Sequence, residues 1–183
     1  MKKEIQSAIN HMVQGLAHWM AYRDEISNIQ VIEADAVFVA TDILRANLVC
    51  DYVVEREITR KSLAIVDRQR IDLGIKSKTT NSYECLIEFK LADATNAGYT
   101  ADVEKLSDIK QKTPNIDCLV VILYRRLCPC EEPKELVNSG GLAQRGIVKI
   151  GKNSYHVKVR RVCNSFTSSK PPKSKKAICL EVL

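Results

Sequence analysis

The chain of 183 residues contains no uninterrupted apolar run of the ~18 residues that a membrane-spanning helix needs, so no membrane partner is expected. It also lacks the opening of a secretion signal. Met1-Lys2-Lys3 leads into an amphipathic stretch, not a continuously apolar one, and a cytoplasmic location follows as the expectation. No glycine-rich phosphate loop occurs, which argues against a nucleotide cofactor; Gly140-Gly141 is only loop chemistry. His11, His18 and His156 are too scattered for a histidine-based metal or nucleophile site. The seven cysteines are odd in number, and Cys128-Pro129-Cys130 lacks the two-residue gap of a zinc knuckle. Free thiols acting as small apolar side chains are expected instead. No internal repeat is apparent.

What is present is the balance of an ordinary globular protein, with 45% hydrophobic and 27% charged residues, in a chain long enough for one core without staples. The net charge of +6 is unevenly spread, with a balance of −2 over residues 1–100 and +8 over residues 101–183. From Gly141 onward ten basic residues face one acid, Glu181. A basic C-terminal third beside a carboxylate-bearing middle suits a polyanion, with nucleic acid first among candidates. A solvated basic surface is the plainer reading of the same charges.

Apolar positions Ile5, Ile9, Met12, Leu16 and Trp19 recur at steps of four and three and predict an amphipathic helix to about Tyr22. Trp19 is expected in the core. A second helix is expected from about Ala34 to Leu48, with Glu33, Val37, Thr41, Leu44 and Leu48 on one face. Tyr52 to Thr59 is rich in β-branched residues and reads as a strand. Arg70 to Lys76 alternates, placing Ile71, Leu73 and Ile75 on one face and Arg70, Asp72, Gly74 and Lys76 on the other. After turn chemistry at 78–82, Tyr83 to Leu91 alternates again: Cys85, Ile87, Phe89 and Leu91 against Glu84, Leu86, Glu88 and Lys90. Thr100 to Lys112 reads as a helix with Thr100 as its N-cap, stopped by Pro114. Cys118 to Tyr124 is apolar on both faces, as a covered central strand is. A hairpin over Gly146–Val162 and a last strand over Ala177–Val182 complete the reading. This predicts one α/β domain: a core over about 33–124, an N-terminal amphipathic helix over about 3–22, and a basic C-terminal β extension over about 141–183.

The chemistry concentrates between Arg70 and Lys90. The pleat points Glu88 and Lys90 the same way, and an antiparallel hairpin can bring Asp72 onto their face. Two close carboxylates raise one another's pKa unless a cation lies between them. Mg²⁺, with Mn²⁺ able to substitute, is the expected choice beside phosphate oxygens. A neighbouring lysine can orient water or stabilise charge developing on the phosphate.

These residues resemble the PD-(D/E)xK nuclease superfamily over Glu33 to Tyr124. Asp72 stands at its aspartate position, in Arg-Ile-Asp-Leu without the nominal proline, and Glu88-Phe89-Lys90 matches Glu-x-Lys. The resemblance implies a restriction-endonuclease-like mixed central sheet flanked by helices and a metal-dependent endonuclease acting on DNA. Asp72 and Glu88 would hold the metal with the Phe89 carbonyl. Lys90 would assist the attacking water, and Glu33 would be a third acidic ligand or a base, with Glu55 and Glu57 as rivals for that place.

Lys105, Arg145, Lys149, Lys158, Arg160 and Arg161 are the expected phosphate contacts. A homodimer is the simplest way to cut both strands. Blander readings stand beside these. Glu88 and Lys90 suit a solvent-facing pair worth under about 1 kcal/mol, and Asp72 suits an ion pair with Arg70 or Lys76. Glu33 suits the first turn of any helix. The whole fold also suits a catalytically silent nucleic-acid-binding or subunit-interaction module, or a small interaction domain working through its first helix.

Overall fold

The computed structural model describes residues 1–26, 32–59, 70–92, 98–124, 147–150, 155–168 and 174–183. Within these lie three helices, α1 (Lys3–Ile26), α2 (Glu33–Asn47) and α3 (Gly98–Lys112). The strands are β1 (Tyr52–Thr59), β2 (Arg70–Ser77), β3 (Tyr83–Ala92), β4 (Asp117–Tyr124), β5 (Ile147–Ile150), β6 (Tyr155–Phe166) and β7 (Ser174–Val182). Among the described residues they form a seven-stranded sheet in the order β1-β2-β3-β4-β7-β6-β5. The β3–β4 pair is parallel and its neighbours are antiparallel, so the protein is a mixed α/β structure. No helix among the described residues is long and apolar enough to cross a membrane.

Helices cover both faces. On one, α1 and α2 pack over Leu73, Ile75, Cys85, Ile87, Phe89, Leu119, Val121, Leu123 and Cys179. On the other, Tyr99, Val103, Leu106 and Ile109 of α3 pack over Leu86, Val120, Ile122, Ile178 and Leu180. The alternation of β4 between these two clusters explains why its sequence is apolar throughout.

The N-terminal seam is broader than the sequence spacing suggests. Ile5, Ala8, Ile9, Met12, Val13, Leu16, Ala17 and Met20 are all buried, because α1 packs on α2 and on β6 and β7. Met20 continues the stripe where Trp19 was expected, and Trp19 lies half-buried at its margin. Thr100 is not an N-cap, since α3 already begins at Gly98. The C-terminal strands are part of the sheet rather than appended to it. β7 lies directly beside β4 and contributes Ala177, Ile178, Cys179, Leu180 and Val182 to the interior.

The expected alternation of β2 also fails at one place. Ile71 packs on the α3 side, whereas Leu73 and Ile75 pack on the side of α1 and α2. The partner strand changes face at the same level, with Val54 on one side and Ile58 on the other. The register pairs Arg56 with Leu73 and Ile58 with Ile71, which leaves Glu57 and Asp72 at the crossover. Glu57 has φ 53°, a left-handed conformation that a non-glycine residue adopts at a cost. Asp72 therefore lies where the outer strands roll over.

Candidate active site

The roll has a consequence for the backbone of β3. The β2–β3 ladder runs from Lys76↔Tyr83 to Leu73↔Ile87, and one further step would set Asp72 level with Glu88. There a side chain replaces the ladder bond: the Phe89 N–H donates to Asp72 Oδ2 at 2.8 Å. Two residues on, the Leu91 N–H donates to Glu33 Oε2 at 3.2 Å. A buried amide without a partner is costly. Two carboxylates thus satisfy the edge of β3 that β2 leaves open, and in doing so they are fixed beside its other side chains. The N–H and C=O of one strand residue point to the same side, so the Phe89 carbonyl faces the same gap.

Glu88 projects to the α3 side of the sheet and is only 3% exposed. Burial, followed by the charge of Asp72, pushes its carboxyl up to about 8, while Lys105 acts in the opposite direction. Lys105 Nζ lies 2.5 Å from Glu88 Oε1. The two meet as an ion pair without the alignment of a good hydrogen bond. Lys90, next on the same face, lies 3.7 Å from Glu33 Oε2.

Asp102 completes the cluster. Burial raises its pKa, opposed by Lys105 and Lys90 and assisted by Glu33 and Asp72. The structure therefore brings together Glu33, Asp72, Glu88, Lys90 and Lys105, and adds Asp102. The sequence pattern shows Asp102 only as one residue of the helix predicted over Thr100 to Lys112. Its signal was present in the three-residue step to Lys105 along one edge of the Tyr99-Val103-Leu106 stripe.

The rival acids hold other partners, although Glu57 lines the same groove as Glu33 and Asp72. Glu55 accepts a hydrogen bond of 2.5 Å from the Tyr83 hydroxyl and sits 3.8 Å from Lys76. Glu57 is exposed and bound to Arg70 at 2.5 Å. A groove of about 930 Å³ opens beside the cluster, lined by Ile32, Glu33, Val37, Phe38, Arg56, Glu57 and Asp72. Phe38 is exposed on its wall, with the Arg56 guanidinium 4.9 Å from its ring centre.

Among the described residues, the expected C-terminal phosphate contacts do not surround this site. Lys158 pairs in register with Glu181, level with Leu119, whereas Lys90 is level with Ile122. Lys158 is thus three strands from β3 and toward the opposite end of the sheet. Arg160 is bound to Glu181 at 2.6 Å, and the Arg161 Nε–H donates to Cys163 Sγ at 3.3 Å. Lys149 lies on β5, and Arg145 is outside the described residues. Among the described residues, Lys105 alone of the expected phosphate contacts is placed at the cluster.

No protein-family model, curated protein or solved structure matches this chain. Among the described residues no three acidic, histidine or cysteine side chains converge closely enough to form a metal cage. A Mg²⁺ ion does not need one. It is commonly held by one or two carboxylates, with water and substrate oxygens completing its octahedron. Asp72, Glu88 and the Phe89 carbonyl suit that role as a donor set, and the two mutually repelling carboxylates, Glu88 buried and Asp72 half-buried, gain from a cation between them.

Proposed function

We propose that the protein is a Mg²⁺-dependent endonuclease that hydrolyses phosphodiester bonds in DNA, with a site of the PD-(D/E)xK type on a restriction-endonuclease-like sheet. The observation that carries this reading is the convergence of Asp72 and Glu88 at the open edge of β3, with Lys90 and Glu33 beside them. Asp72 and Glu88 would hold the metal together with the Phe89 carbonyl. The bound ion would supply charge for a phosphate oxygen and an acidified water.

The chain's own groups have separable tasks. Asp72 keeps its carboxylate in place by accepting from the Phe89 amide. Lys90 is one-third exposed, so its ammonium reaches both the cluster and solvent, where it can orient a water or stabilise charge on a phosphate. Glu33 holds Lys90 in that position, as the third acidic group, while it accepts from Leu91. The groove beside Asp72 gives a strand of nucleic acid a route past these groups. A symmetric pair of chains would cut both strands of a duplex.

One observation favours a second reading. Lys105 already rests on Glu88, as it would in a metal-free module that binds nucleic acid without cutting it. Supercoiled plasmid incubated with wild type and Glu88→Ala, in Mg²⁺, Mn²⁺ or EDTA, separates the two. Nicking that needs metal and is lost in the variant supports the nuclease. Plasmid binding with no nicking in either metal supports the silent module.

A further inference from the structure

The sequence assigns Lys105 to a phosphate, yet the geometry gives it a different partner. Its Nζ lies 2.5 Å from Glu88 Oε1 and 3.8 Å from Asp102 Oδ1. It also donates to the Arg70 carbonyl oxygen at 3.2 Å. The Lys105 side chain is 16% exposed and that of Glu88 only 4%, so their attraction is screened far less than at a surface. The ammonium thus rests on one of the two carboxylates assigned to a metal. It also bonds to β2 two residues before the other.

We propose that Lys105 is the internal counter-cation of the metal-free site, holding the place on Glu88 that a divalent cation takes and leaving it when the metal binds. This rests on the metal-dependent reading above. A divalent ion on the same carboxylate repels an ammonium held 2.5 Å from Oε1, and the repulsion in this little-screened setting drives the ammonium away. Asp102 offers the displaced ammonium its next position. It lies one helical step away on α3, and its Oδ2 is buried without a hydrogen-bond partner among the described residues. The exchange keeps Glu88 compensated in both states once it is ionised, which a buried carboxylate requires; below about pH 8 its own proton does so. It also makes metal affinity depend on a residue that is not a ligand.

The direct test is brief acetylation of the full-length protein with limiting acetic anhydride, above the Glu88 pKa of about 8, with and without Mg²⁺ at matched ionic strength. Peptide mass spectrometry reads the modification at Lys105 relative to exposed Lys158. Lys105 is expected to be protected without metal and to react several-fold faster with it, and Glu88→Gln is expected to expose it without metal. Equilibrium dialysis with Mn²⁺ supplies the second readout. Lys105→Met is expected to bind roughly tenfold or more tightly than wild type, because a unit charge in contact has been removed, while Lys105→Arg stays weak.

Mn²⁺ binding to wild type with unchanged Lys105 reactivity, or equal affinity in a folded Lys105→Met, overturns the counter-cation and leaves the nuclease reading standing. No Mn²⁺ bound by either protein overturns both. If Lys105→Met does not fold, the labelling of wild type decides.

Discussion

Replacing Glu88 by glutamine should change how stability depends on pH. In the native protein the Glu88 carboxyl is pushed up to about 8 from an ordinary 4.5, first by burial and then by Asp72. Between those values the unfolded chain has released a proton that the native state still holds, so stability falls as pH rises. Below the lower value both states are protonated, and above the upper one both are ionised. The slope is about 1.4 kcal/mol per pH unit, which amounts to about 4 kcal/mol between roughly pH 5 and pH 8. Glutamine keeps the shape and loses the titration.

Urea unfolding of wild type and Glu88→Gln, in EDTA at successive pH values, measures this. The difference between the two proteins cancels the other titrating groups. Wild type should lose stability relative to the variant by a few kcal/mol across that window. Mg²⁺ should flatten the loss by favouring the ionised carboxylate. A difference constant to within about 1 kcal/mol across the window refutes the burial argument.

Other substitutions test single contacts. Asp72→Ala leaves the Phe89 amide without its acceptor and should cost roughly 1–3 kcal/mol in denaturant titrations, whereas Asp72→Asn keeps an acceptor and should cost less. Gly74 has no room for a methyl group: a Cβ there would lie 2.8 Å from the Tyr83 ring and closer still to Ile58. Gly74→Ala should therefore lower stability by about 1–3 kcal/mol through overpacking. Arg160→Ala strands the nearly buried Glu181 and, with Arg160 itself a quarter exposed, should destabilise by roughly 1–3 kcal/mol. If Arg160→Ala instead weakened DNA binding and left stability unchanged, the arginine would be a phosphate contact after all.

Element order was legible because each segment carries a clear period. β1 spans the residues its β-branched composition suggests, and β4 reads as covered on both faces because it is. Glu88 and Lys90 were readable for the same reason, since a pleat fixes which side chains share a face, whereas Asp72 reaches them through the roll of β2. What the sequence hid was non-local. The face change at Ile71 depends on the left-handed Glu57 in a neighbouring strand, and no local pattern in β2 announces it. Charge totals implied a basic surface at the C-terminus, yet Arg160 is used by Glu181 and Lys175 by Asp24, at 3.2 Å. Net charge counts side chains and does not see their partners. Asp102 and Lys105 gained their roles through tertiary contact between α3 and β3, which neither segment shows alone.

The most direct test of the central claim is an anomalous difference map from crystals grown with Mn²⁺. The account predicts a peak about 2.1 Å from oxygens of Asp72 and Glu88, a spacing typical of small hard cations, with Lys105 displaced from Glu88. A map with no peak between those carboxylates, and Lys105 still seated on Glu88, would contradict it.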